Sequence, residues 1–268
     1  MQCDCRKAGK QIMSLTRLVL KYAVPVPQLC EYDTYLFVGP HPDDIEIGAG
    51  ATVSKLVSLG KKVVFLICTD GRYGTDYTEL SGEELIETRR KEALLSASVL
   101  GVSDVRFLNL SDGGFYEFKD MLEGIAKVMG DVQPDVIFAP DPCVDSECHP
   151  DHLNTGNAVR RLACVAANPG IMGQYGAKTV ALKALAYYMT ARPNRYVCVN
   201  GHLAKQRKAI FECHLSQFPH TGGPGDSIVL YLKLRAAEFG MRSFKGQAEG
   251  FRVLGPVHMH CLPEAGGK

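Results

Sequence analysis

"TYLFVGPHPDDIEIGAGATVSKLVSLGKKVVFLICT" runs from Thr34 to Thr69 and decides the fold. "TYLFVG" is a short, unbroken apolar run, as expected of a strand buried on both faces. "GATVSKLVSLG" has helical spacing and stops at Gly60. "KKVVFLICT" is a second apolar run, rich in β-branched residues. Between the first strand and the helix stands "GPHPDDIEIGAG", which places His41, Asp43, Asp44 and Glu46 within six residues. That is an unusual density of metal-competent groups at a strand exit.

The alternation continues outward. "LSGEELIETRRKEALLSASVLG" predicts a long helix, with Ser81 and Glu84 at capping-box spacing and Gly101 as C-cap. "VRFLNL" predicts a third strand, "FKDMLEGIAKVMGDV" a helix, "PDVIFAPD" a fourth strand and "DHLNTGNAVRRLACVAAN" another helix. "TVALKALAYYMT" and "RYVCVN" read as later strands. "GHLAKQRKAIFECHLSQ" and "DSIVLYLKLRAAEFGMRSF" read as late helices. Such alternation implies an α/β fold: a three-layer, Rossmann-like sandwich whose mostly parallel sheet carries helices on both faces. Residues 1–268 are expected to form one domain, with 1–30 as an N-terminal helical extension. The Gly/Pro-rich "PHTGGPGD" (Pro219–Asp226) predicts a loop able to act as a lid.

Composition narrows the function classes. The chain has 268 residues, 46% hydrophobic and 22% charged, the balance of a globular protein. A net charge of +1 gives no nucleic-acid or membrane footprint and suits a neutral substrate. "IMSLTRLVLKYAV", broken by Arg17 and Lys21, reads as an amphipathic surface helix rather than a leader. The ten cysteines read mostly as reduced, buried thiols of a cytoplasmic protein. Cys3 and Cys5 form a C-x-C with no second ligand pair, so a structural zinc there is not expected.

Ligands of such folds sit at the carboxyl ends of the strands. A second polar cluster, "DSECHPDH" (Asp145–His152), follows the fourth strand. Loops from two strand ends can meet over one crevice. His41 and Asp44 from the first and His152 from the second would make a His₂Asp set, the open arrangement of a catalytic zinc site. Bound zinc lowers the pKa of its water to about 7, and a carboxylate beside that water, Asp43, can take the proton. His149 could orient the water or protonate a leaving amine, and Asp151 could fix its tautomer. The plain alternative is that "PDD" and "HPD" are turn and N-cap chemistry. Two such clusters after two strands of one sheet favour a site. Glu46 is expected to face the first helix's N-terminus rather than a metal.

The run "HPDDIEIGAGAT" with the distant "HPDH" resembles the LmbE-like (PIG-L) zinc-dependent deacetylases. Within that family the chain is most similar to the diacetylchitobiose deacetylases, a likeness that extends through "TDG", "LSGEELIETRRKEA", "FAPDP", "HLSQFP" and "EGFRVLGPVHMHCLP". The resemblance implies a Zn²⁺ hydrolase that removes acetyl from an N-acetylglucosaminyl sugar. It implies His41, Asp44 and His152 as ligands and Asp43 as general base. Arg89, or its neighbour Arg90, would bind sugar hydroxyls. His260 would polarise the acetamide carbonyl, with His258 as a competing candidate. Relatives form homo-oligomers, often hexamers. Ala51 stands where many members have glycine, and the segments at 168–178 and after Pro263 depart from the pattern, which leaves the group beyond the first sugar open. Deacetylation of another amino-sugar conjugate is the nearest alternative. A non-catalytic sugar- or nucleotide-binding module is the alternative of a different class.

Overall fold

The computed structural model describes residues 19–20, 22–74, 79–218 and 225–260. Most of the N-terminal extension, Cys3, Cys5 and residues 219–224 of the expected lid lie outside these. In chain order the elements are β1 Thr34–Gly39, α1 Asp44–Ser58, β2 Lys62–Thr69, α2 Gly82–Leu100, β3 Asp104–Leu110 and α3 Phe118–Val132. There follow β4 Val136–Pro140, α4 Pro150–Val165, α5 Pro169–Gln174, β5 Ala184–Tyr188, β6 Arg195–Cys198, α6 Leu203–Phe211, α7 Gly225–Ser243 and β7 Ala248–Leu254. A 3₁₀ turn, Val257–Met259, closes the described chain.

The seven strands lie in the order β3-β2-β1-β4-β5-β7-β6. β1 to β5 are parallel, and β7 is antiparallel to both β5 and β6. Alternate side chains divide the core. Tyr35, Phe37, Phe65 and Phe138 face α1, α2 and α6, while Leu36, Val38, Leu66 and Ile137 face α3, α4 and α5. This is why the strands read as unbroken apolar runs: both faces are covered. Phe37 stacks on Phe138 at 4.1 Å between centroids, and burying each such ring is worth about 1.5–3 kcal/mol. α3 buries Met121, Leu122, Ile125, Ala126, Met129 and Val132, one helical stripe.

Four expectations change. The first helix begins at Asp44, six residues before the periodic stretch, so half of the polar motif is helical. β7 and α5 were not foreseen. β7 lies inside "AEGFRVLGP", whose two glycines mask its period, yet Phe251 and Val253 are fully buried. Ser81 sits at the N-cap of α2 without a side-chain bond, so the capping box does not form, whereas Gly101 is the left-handed C-cap at φ 90°. All seven described cysteines are free, but only Cys68 and Cys213 are buried. Among the described residues no helix is long and apolar enough to cross a membrane.

Candidate active site

β2 and β3 lie on one side of β1 and β4 on the other, so the loops leaving β1 and β4 diverge at a topological switch point, where such sheets open a crevice. Both polar clusters leave the sheet there. α4 approaches β4 closely because Gly156 has no side chain: a Cβ there would lie 2.6 Å from the Pro140 carbonyl oxygen. That approach seats the first turn of α4, with Asp151 and His152, over the strand end.

Asp44 joins the two clusters. Its Oδ2 is 3.0 Å from His41 Nδ1 and 3.4 Å from His152 Nε2. Each histidine has a carboxylate on its far nitrogen. His41 Nε2 lies 3.0 Å from Asp112 and 3.1 Å from Asp151. His152 Nδ1 lies 2.9 Å from Glu147. In the neutral rings, carboxylates on the outer nitrogens hold the proton there, so that Nδ1 of His41 and Nε2 of His152 are the atoms able to ligate. This donor set fits a divalent metal. Ligand atoms of His41, His149 and His152 also lie within 4.8 Å of one another, as do those of His41, Asp112, His149 and Asp151. Burial disfavours charge on His41, but Asp112, Asp151 and Asp44 together hold its pKa well above the usual value. Burial likewise opposes charge on His152, yet Asp44 brings its pKa up to about 9. Asp44 itself is buried, and the two histidines hold it far below the usual carboxylate range.

Asp43 occupies the N-cap position of α1 but makes no capping bond, and its φ is 126°, a left-handed value costly for any residue but glycine. The N-cap reading of "PDD" therefore fails. Burial raises the Asp43 pKa to about 6, against the pull of Arg89. Arg89, only 2% exposed, donates to the carbonyls of Pro42 and Gly71 at 3.0 Å each and approaches Asp43 at 3.5 Å. It clamps the loops after β1 and β2 together. Arg90 instead bonds Asn109 and lies over the Phe107 ring, so of the two arginines it is Arg89 that faces the site.

His149 accepts a bond from the Asp151 backbone N–H at Nδ1, and its ring meets His41 edge-on at 4.7 Å. The neutral tautomer thus carries its proton on Nε2. Burial and the His41 charge lower its pKa. The expected side-chain bond from Asp151 to His149 is not made, because the two stand 3.9 Å apart. Asp151 instead accepts from the Gly113 and Gly114 amides, from Tyr116 Oη and from His41. Glu46 lies in the first turn of α1, at the helix N-terminus as expected, and its carboxylate meets Ser96 and buried His214.

Asp112 and Glu147 were not singled out from the sequence. Asp112 follows a strand, as the other site residues do, and that rule could have found it. Glu147 is five residues from His152, a spacing that signals nothing. His260 is the opposite case. β7 runs antiparallel to β5 and pairs Leu254 with Leu185, near the start of β5. The chain after β7 therefore emerges at the edge of the sheet opposite the crevice. There His260 touches Cys164 at 3.9 Å, near the far end of α4, and His258 bonds the Gly255 amide and the Val24 carbonyl. The antiparallel strand thus takes both histidines away from the site of their own chain.

Fold and site define a class: a doubly wound α/β protein with a carboxylate–histidine cluster able to hold a metal at its switch point. The family model PIG-L, GlcNAc-PI de-N-acetylase, matches residues 36–163. A diacetylchitobiose deacetylase of Thermococcus kodakarensis is 32% identical over 233 residues, 86% of each chain. A 1D-myo-inositol 2-acetamido-2-deoxy-alpha-D-glucopyranoside deacetylase of Kineococcus radiotolerans is 31% identical over 193 residues, 60% of this chain and 53% of that one. The solved N,N'-diacetylchitobiose deacetylase from Pyrococcus horikoshii, complexed with its inhibitor MPG, superposes with a TM-score of 0.83 at 30% identity, covering 95% of this chain and 98% of that one. The chain belongs to the PIG-L deacetylase family.

Proposed function

We propose that the protein is a zinc-dependent hydrolase that removes the acetyl group from an N-acetylglucosaminyl sugar of the diacetylchitobiose type. The observation that carries this is the pairing of His41 and His152 around Asp44, with uncapped Asp43 beside it. Zinc suits two imidazoles and one carboxylate, and when bound it supplies Lewis acidity toward water and a carbonyl oxygen. Asp43 takes the proton from the water that attacks the acetamide carbon. With a pKa of about 6 it is mostly ionised at neutral pH and still basic enough to accept. Arg89 holds the Asp43 loop in place, and the sugar contact implied for it belongs to the same proposal. The proton that Asp43 has taken then passes to the amine nitrogen as the C–N bond breaks, and His149, neutral and carrying its proton on Nε2, donates a hydrogen bond that orients the reacting groups. Acetate and a free amino sugar leave.

A second reading keeps this chemistry on another glucosamine conjugate, which the likeness to the inositol-linked deacetylase favours. A homo-oligomer, hexameric by the resemblance, and a cytoplasmic setting complete the proposal. The test is zinc content together with acetate release from N-acetylglucosamine, N,N'-diacetylchitobiose and inositol-linked N-acetylglucosamine. One zinc per chain with preferred turnover of the chitobiose is expected. A zinc-loaded protein that releases acetate from none of the three would overturn the reading.

A further inference from the structure

Two large aromatic side chains stand exposed on the loops after β2 and β3, beside the candidate site. Tyr73, after β2, is 64% exposed and Phe115, after β3, is 71% exposed. Their rings meet at 76° with centroids 6.0 Å apart, forming an aromatic corner. Gly113 lies beside both: a Cβ there would come within 3.1 Å of the Phe115 ring and 3.7 Å of the Tyr73 ring. Gly113 and Gly114 both have φ of 81°, a turn that needs glycine and that brings Phe115 round to Tyr73.

The corner is fastened to the site. The Tyr73 amide donates to Asp112 Oδ2 at 3.3 Å, and Oδ1 of the same carboxylate is 3.0 Å from His41. The Gly113 and Gly114 amides donate to Asp151, at 2.8 and 2.9 Å, and Asp151 also meets His41. Asp70 ties the two loops together. It accepts from the Arg72 and Asp112 amides and takes a two-nitrogen contact from the Arg72 guanidinium. The backbone that carries both rings is therefore fixed before any ligand arrives, which lowers the cost of ordering the corner on binding.

We infer that Tyr73 and Phe115 form a subsite for a second pyranose ring, the one linked to the acetamido sugar. This rests on the deacetylase reading above and deepens it. A pyranose presents C–H groups on its faces and hydroxyls around its rim. Aromatic faces carry negative charge density and accept C–H groups, while a Tyr hydroxyl can bond the rim. Exposed rings anchored to the carboxylates around His41 suit such a neutral, amphipathic ring. Under this assignment the corner is filled by the second ring of the disaccharide and not by the acetamido sugar.

The test compares acetate release from N-acetylglucosamine and N,N'-diacetylchitobiose by the wild type, Tyr73→Ala, Phe115→Ala and Tyr73→Phe. Each alanine variant is expected to raise KM for the disaccharide about tenfold with kcat kept. The loss on the monosaccharide should be several-fold smaller, and Tyr73→Phe should retain most of the disaccharide preference. Equal losses on both substrates overturn the subsite. So do equal losses accompanied by a smaller assembly in sedimentation, which would make the rings a subunit contact. An active wild type with an unmoved substrate ratio overturns the subsite alone, whereas a wild type that acts on neither sugar overturns the deacetylase reading as well.

Discussion

At the scale of single residues, the site is a set of paired charges in which each ligand candidate has a partner behind it. Glu147 is the simplest to probe, because among the described residues its carboxylate bonds only the outer nitrogen of His152 and the His149 amide. Glu147→Gln should keep the fold and weaken metal affinity about 10–100-fold, the usual effect of losing such an orienting carboxylate. Competition with a chromogenic chelator measures it, and unchanged affinity would mean that His152 needs no orientation. Asp43 separates chemistry from metal binding. Asp43→Asn should retain zinc and lower kcat about 10²–10⁴-fold, as loss of a general base does. Near-normal turnover with zinc present would move the base elsewhere, first to His149. "HPDD" and "HPDH" made His41, Asp43, Asp44, His149 and His152 legible in the sequence. Asp112 and Glu147 were not, because their partners come from other loops or from an irregular stretch.

At the scale of elements, α1 carries the site and is held by its neighbours. Glu249 of β7 accepts from the Ala51 and Thr52 amides, and Gln206 of α6 donates to the Glu46 carbonyl and to Glu249. The Glu249 bonds enter the middle of α1, five to six residues past Glu46, while Gln206 holds the Glu46 turn itself. Burial pushes the Glu249 pKa up to about 7, against those donors. Below pH about 4.5 both folded and unfolded chains hold the proton. Between about 4.5 and 7 the unfolded chain releases it and the folded chain keeps it, so stability falls as pH rises through that window, by about 3 kcal/mol. Glu249→Gln cannot titrate. The stability difference between wild type and variant, from urea midpoints, should shrink across this range in favour of the variant and then level off. A difference that stays constant with pH would place the slope in other groups.

At the scale of the whole molecule, one strand direction decides which residues can meet. β7 returns antiparallel, so the chain beyond it leaves the sheet on the side away from the crevice. His260→Ala is therefore expected to change kcat less than about twofold, under half a kcal/mol in barrier, when measured where sedimentation shows single chains. A large loss there would mean that the C-terminal segment folds back over the site. What the sequence determined by itself was whatever local chemistry dictates. Unbroken apolar runs set buried parallel strands, helical spacing set the layers, and two short motifs set the atoms able to hold a metal. The tertiary structure alone decided the rest: the antiparallel return of β7, the clamping of two loops by Arg89, and the carboxylates behind each histidine. The reason is physical. A backbone period records whether a residue is covered, whereas a side chain's partner depends on which strand lies next to its own, and neighbours in the sheet are distant in the chain.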